Sequence, residues 1–289
     1  MNFRATFPLL DGADKLCYTR IMHAHIKRLP LKKLFNTRDL SGLPTQDGRK
    51  IKHGKLIRSG KLYKIPAETV DALRNYGVTT VIDLRIFTEQ EEDPDTLWEG
   101  VKYVHLPVLC TATPGITRER TMKHTMVIES KRIKKEFGNA DNYMAEMYCS
   151  VLLNEEPQAL LKQAMRLIID NEGCILWHCS GGKDRAGIVA MLVESLLGVS
   201  EEIIVADYVA SHRFQRARFF WNRAGLVIAP CSLRFKKILY GMMAAKPQYL
   251  TVAMNRVKEK YGNVINYCKQ VLGVTDEDIE LMKSKYLED

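Results

Sequence analysis

Residues 174–197 constrain the fold more than any other stretch. A short apolar run, CILW at 174–177, enters the polar segment HCSGGKDRAG, and the chain then continues as a strongly apolar run at 188–197. The short run, bounded by turn residues, is a buried strand, and the longer one is a buried helix. Strand, tight loop and buried helix form the arrangement in which an anion sits at a helix N-terminus. The first turn leaves N–H groups without intrahelical partners, and the peptide dipoles sum to positive charge there. A chain built around such a unit needs a sheet covered by helices, which places it in the α/β class.

The other elements fit that class. Asp47-Gly48 marks a turn between Leu43 and Ile51, residues 55–59 read as a strand ended by Gly60, and Pro66 opens a helix over 67–76 that Gly77 stops. The β-branched VTTVIDL at 78–84 is another buried strand, and VKYVHLP at 101–107 a further one. Across 108–154 the sequence turns basic and then amphipathic, without the apolar runs that a central strand needs, and it reads as an insertion or lid. A helix spans 156–171 by its spacing, others start at Ser200 and Pro247, and 275–278 form a capping box with Asp in the acid position. The 289 residues thus divide into an N-terminal extension, 1–30, and a single domain, 31–289, with the lid at about 108–154.

Five residues separate Cys179 from Arg185. A cysteine attacks well as thiolate, a form that peptide amides, a helix N-terminus and a fixed guanidinium all favour. The spacing predicts that Arg185 grips two oxygens of a phosphate with its planar fork, while amides from Ser180, Gly181, Gly182, Lys183, Asp184 and Arg185 itself surround the rest. Gly181 and Gly182 then serve a backbone that turns left-handed and approaches the anion closely. The expected reaction is attack of Cys179 on a phosphate ester, giving a cysteinyl-phosphate that water hydrolyses. Asp184 is the nearest carboxyl in sequence and the candidate for protonating the departing oxygen, with Asp83 and Asp207 as rivals. Lys183 would add charge where the phosphoryl group is negative. Neither a metal nor a cofactor is called for.

Charge narrows the partners. The formal net charge of +9, from 43 Lys+Arg against 34 Asp+Glu, favours phosphoproteins, phosphoinositide headgroups or nucleic acid. The basic clusters at 118–135 and 213–223 come without zinc-finger, RNA-recognition or basic-zipper spacing, so they read as solvated helix faces and nucleic acid is not expected. Seven cysteines without a C-x-x-C pair argue against a disulfide framework or structural zinc and point to a reducing compartment, the cytoplasm. There is no signal-peptide core and no run of eighteen apolar residues to span a membrane, although export by a dedicated secretion system would leave no such mark.

HCSGGKDRAG is similar to the HCxxGKDRTG loop of the atypical bacterial-type tyrosine phosphatases, several of which also hydrolyse phosphoserine, phosphothreonine or phosphoinositides. The likeness extends to NTRDLSG at 36–42, TQDGR at 45–49, LIRSG at 56–60, VIDLR at 81–85, ADY at 206–208 and a C-terminal pattern running from Tyr261-Gly262 to Leu272-Gly273-Val274, about residues 30 to 285 in all. This resemblance implies a cysteine-phosphatase-like fold, with a mostly parallel central sheet flanked by helices and a helical lid. It also implies Cys179 as nucleophile, Arg185 as phosphate clamp, and Asp184 with Lys183 as the acid and its electrostatic helper. The implied substrate is a phosphorylated protein or a phosphoinositide, with inorganic phosphate as product. Two positions depart from the pattern. Thr37 stands in place of Phe, implying altered packing near the site mouth. Ala186 stands in place of Thr, whose hydroxyl can bond the cysteine sulfur and help it leave; its loss implies slow turnover with accumulated phosphoenzyme, or a domain that recognises phosphate and turns over little.

Several polar residues keep two readings. His178 either tunes the thiolate from behind or is a core histidine. Asp83 and Arg85 pair with each other or brace the loop, while Arg38, Asp39 and Arg58 stand behind the loop or face the substrate. Cys174 should lie on the face of the strand opposite Cys179, as core.

Overall fold

Strand ends that finish level with one another organise the molecule. In the computed structural model, which describes residues 21, 24–109, 113, 122–215 and 233–289 (122–127 and 234 by backbone alone), seven strands form. They are β1 (Arg38–Asp39), β2 (Lys50–Ile51), β3 (Leu56–Ser59), β4 (Val78–Asp83), β5 (Lys102–His105), β6 (Cys174–His178) and β7 (Leu287–Glu288). Five make one sheet in the order β1-β3-β6-β4-β5, with β3, β6, β4 and β5 parallel and β1 antiparallel at the edge. Ser59 pairs with His178, His178 with Asp83, and Asp83 with His105, so these four residues form a row across the carboxyl edge. Loops leaving that edge converge, which is where parallel sheets bind ligands. The remaining two strands, β2 and β7, pair antiparallel.

Both faces of the sheet are covered, as its apolar strands require. Ile57, Val81, Cys174 and Leu176 point into a smaller core completed by Leu34, Leu62, Leu73 and Trp98; Leu56, Ile82, Ile175 and Trp177 point into the larger one. The smaller side is closed by α1 (Ala67–Asn75), which links β3 to β4. Next come α2 (Phe87–Glu92), α3 (Met122–Phe137), α4 (Ala140–Leu153) and α5 (Glu155–Asp170). After β6 follow α6 (Arg185–Leu196), α7 (Glu201–Phe214), α8 (Leu233–Met243), α9 (Pro247–Tyr261), α10 (Val264–Gln270) and α11 (Asp276–Tyr286). Buried residues from α4 to α7 and α9 to α11, with Ile238 and Met242 of α8, fill the larger core.

The expected elements are present with small shifts. Pro247 is the first residue of α9, and Thr275 with Asp278 closes the capping box. The helix after the loop begins at Arg185, three residues before its apolar pattern does, because Arg185, Ala186 and Gly187 carry no periodic signal. The short helix α2 had no sequence signal strong enough to be read. On α3 the basic residues Lys131, Arg132, Lys134 and Lys135 are exposed while Ile133 is buried, as a solvated face demands. Trp221, the cluster at 216–223, the extension at 1–20 and Cys17, Cys110 and Cys231 lie outside the described residues.

Leu176 is fully buried on the middle strand, between Ile57 and Val81 of its neighbours. Leu176→Ala should cost about 2–5 kcal/mol, read as a lower urea midpoint with an unchanged slope.

Candidate active site

The loop between β6 and α6 owes its shape to where its carbonyls go. Asn36, at φ +60°, donates through Nδ2 to the carbonyls of Gly181 at 3.0 Å and Gly182 at 2.8 Å. Gln215 Nε2 also donates to Gly181 O, at 3.0 Å. Arg58 Nη2 donates to the carbonyls of Gly182 at 3.0 Å and Lys183 at 3.1 Å. A trans peptide points its C=O and the following N–H in opposite directions. Tying three successive carbonyls outward therefore turns the amides of Gly182, Lys183 and Asp184 inward, toward one concavity. Gly182 is required: its φ is +62°, and a Cβ there would lie 2.5 Å from the Ser59 carbonyl carbon and oxygen. The tight approach is to strand β3, not only to an anion. Gly181 lacks both constraints, since its φ is ordinary and a Cβ would meet only Gln215 Oε1 at 3.9 Å.

Arg185 stands at the first position of α6 and is fully buried. Its fork is held by Glu89 of α2, with Nη1 donating to Oε2 at 2.7 Å and Nη2 to Oε1 at 3.0 Å, while Nη1 also reaches Leu84 O at 3.1 Å. Burial opposes the guanidinium charge, but the Glu89 carboxylate and then the Cys179 sulfur outweigh it and raise the Arg185 pKa. Glu89 Oε1 also accepts from Ser180 Oγ at 2.5 Å, and Oε2 accepts the Ile86 amide that opens α2. Burial would raise the Glu89 carboxyl, yet Arg185 and these donors hold it below the usual carboxylate range. Glu89 escaped the sequence reading because it sits among the acidic residues of FTEQEE, which look like a solvated turn.

Lys183 is buried and reaches a neighbouring helix. Its ammonium donates to the carbonyls of Met242, Met243 and Ala244 at 3.0, 3.3 and 2.9 Å, where a cation meets the negative end of α8. It also lies 3.1 Å from Asp184 Oδ1. That same oxygen accepts from the Tyr148 hydroxyl of α4 at 2.6 Å.

The comparisons with known proteins decide the family. A sequence profile described as the tyrosine phosphatase family matches residues 29–288. The chain belongs to the tyrosine phosphatase family. The phosphatase is similar to a Cupriavidus necator protein whose name assigns it provisionally to the tyrosine-protein phosphatases, with 27% identity over 90% of this chain and 88% of that one. It is also similar to the triple specificity protein phosphatase PtpB of Mycobacterium tuberculosis, with 26% identity over 88% of this chain and 96% of that one. Its substrate class is accordingly a phosphorylated molecule.

Two buried charge clusters stand behind the phosphatase loop. Asp207 of α7 accepts from Arg38 Nε at 2.6 Å and is bonded by Arg58 Nη1, so the arginine that orders the loop carbonyls is itself fixed. Burial pushes the Asp207 carboxyl up, and the two arginines more than reverse it. Nearby Glu194 is raised well above the usual range, by burial first and then by Asp207. In the second cluster Arg85 clamps Asp83 through Nε and Nη2 and reaches Asp95 Oδ2 at 2.7 Å, while Tyr103 donates to Asp83 at 2.8 Å. Asp83, Asp95 and His178 bring ligand atoms within 4.8 Å of one another, but the Arg85 guanidinium bonds both carboxylates. His178 Nε2 lies 3.0 Å from Asp95 Oδ2, off the line of the ring N–H, and Asp95 with Asp83 outweighs burial to raise its pKa. Arginines hold Asp83 and Asp207 fully buried, and Asp184 is buried as well, with Lys183 and Tyr148 as its partners.

Three smaller expectations are also resolved. Thr37 is fully buried, bonding Ser59 Oγ at 2.7 Å, so it is not at the mouth. Asp39 braces the Gly54 amide and the Tyr76 hydroxyl, away from the loop. Cys174 lies in the core opposite Cys179.

Because Glu89 titrates below the ordinary range, the stability it contributes is complete above about pH 5 and is lost as the pH falls through its folded pKa. Glu89→Gln should cost about 3–5 kcal/mol at pH 7, the effect of removing one member of a buried ion pair. Urea midpoints at pH 7 and pH 4 should show the gap between variant and wild type narrowing on acidification.

Proposed function

We propose that the phosphatase hydrolyses phosphomonoesters through a cysteinyl-phosphate on Cys179, with phosphotyrosine as the first substrate class and phosphoserine, phosphothreonine and phosphoinositide headgroups as further ones. In the first step the Cys179 sulfur attacks phosphorus, the ester P–O bond breaks, and Asp184 gives its proton to the departing oxygen. Water then attacks phosphorus, its proton passes to Asp184, and the thiolate leaves with release of inorganic phosphate. Arg185 and the amides of Ser180 to Arg185 hold the three non-bridging oxygens throughout. Lys183 acts at one remove, steadying Asp184 and the end of α8.

The observation that carries this reading is the loop itself, its carbonyls tied outward and its arginine fork fixed by Glu89. The triple specificity of the mycobacterial relative supports the wider substrate range. In this reading helices α3 and α4, within the segment 108–154, act as the cover of the site. Cys149, Cys174, Cys179 and Cys268 are free thiols, which supports the cytoplasm as the place of action, and among the described residues no helix is long and apolar enough to cross a membrane.

A second reading, slow turnover, rests on Ala186. It is fully buried in the first turn of α6 and offers the leaving sulfur no hydroxyl.

With 4-nitrophenyl phosphate, Cys179→Ser should lower phosphate release by at least about a thousandfold. A panel of phosphotyrosine, phosphoserine and phosphoinositide substrates should place phosphotyrosine first. Stopped-flow traces of the wild type should show a burst, and Ala186→Thr should raise the steady-state rate on the order of several-fold while shrinking that burst.

A further inference from the structure

The loop does not by itself hold the carboxyl it carries. Both contacts of Asp184 converge on Oδ1, and the shorter of them, 2.6 Å, comes from Tyr148, a residue of α4 that lies 36 positions away. That leaves Oδ2 as the oxygen able to carry and pass a proton. The Tyr148 hydroxyl is in turn 2.8 Å from that of Tyr208 on α7. Since the one proton of Tyr148 goes to Asp184, Tyr208 is the donor of the second pair, and the row runs Tyr208 to Tyr148 to Asp184. All three side chains are buried, and the rings pack edge to face, with centroids 5.9 Å apart. Burial, and then the neighbouring Asp184 carboxyl, push the Tyr148 phenol well above its ordinary range.

We infer that Tyr148 is a positioning residue for the proton transfer, aiming Asp184 Oδ2 at the leaving oxygen, so that the acid is in register only while helix α4 is docked on the loop. The inference rests on the assignment of Asp184 as general acid proposed above. In the step itself Oδ2 loses its proton to the ester oxygen as the S–P bond forms and the P–O bond breaks; the phenol changes neither proton nor charge. Small displacements of an acid from its acceptor carry large rate penalties, which is why one hydroxyl can matter. The neighbouring Lys183 contributes a parallel tie, its ammonium binding the three carbonyls at the end of α8.

An acid matters most for a poor leaving group, so the test compares kcat/KM for phenyl phosphate with that for 2,4-dinitrophenyl phosphate in the full chain. This parameter reports the first step and is blind to slow dephosphorylation. Tyr148→Phe, which keeps the packed ring, should lower the phenyl phosphate value on the order of tenfold and the dinitrophenyl value by less than about twofold. Asp184→Asn should show the same selectivity with a larger loss, and the double variant should fall no further than Asp184→Asn alone. Tyr208→Phe removes an equally buried hydroxyl one bond further away, and whatever it costs should be equal for the two esters. An equal loss on both substrates in Tyr148→Phe, or none, beside a selective Asp184→Asn, overturns the positioning role while leaving the acid assignment standing. An unselective Asp184→Asn removes the acid assignment and the inference with it.

Discussion

A row of amides can face an anion only if the carbonyls alternating with them are satisfied elsewhere, and inside a protein that means by other groups of the chain. Here the solution is Arg58. Its Nη2 bonds two loop carbonyls and its Nη1 bonds Asp207, so one guanidinium joins the loop to helix α7. Asn36 and Gln215 complete the arrangement from the segment before β1 and the end of α7. Gly182 has to be left-handed because the loop is drawn down onto Ser59, and Gly187 has to lack a side chain because Arg58 Nη2 lies 2.9 Å from where a Cβ would stand.

Buried charge is costly, and this molecule concentrates it under the site in groups of two or three opposite charges. Arg185 with Glu89, Arg85 with Asp83 and Asp95, and Arg38 and Arg58 with Asp207 each neutralise what burial would otherwise penalise. Glu194, the odd acid among them, has its carboxyl pushed well above the usual range by that burial and by Asp207. The row Ser59, His178, Asp83 and His105 shows how the sheet helps: parallel register delivers polar residues to one edge at one level, where they can meet partners from different loops.

The strand, loop and helix around Cys179 were legible because each carries its own local signal: an apolar run, adjacent glycines, a second apolar run. The caps at Pro247 and Thr275 were legible for the same reason. What lay beyond reach was set by distance along the chain. Glu89 is 96 residues from Arg185 and Asn36 is 146 from Gly182, and nothing in FTEQEE or NTRD says which side chain will turn inward. Lys183 lies beside Asp184, as their adjacency suggests, but its ammonium also reaches the end of α8, a contact that no local signal announces. Thr37 misled, its hydroxyl lying deep against Ser59 rather than near the mouth.

The position of β6 has a consequence for how the molecule is made. It is the middle strand of the sheet, between β3 and β4, yet it is the last of the five to be synthesised. Until it emerges from the ribosome, β3 and β4 each present an unsatisfied inner edge, the kind of surface that recruits other strands. The nascent chain must therefore carry two open edges through the synthesis of α3, α4 and α5, and the segment that closes them is the one that delivers the nucleophile.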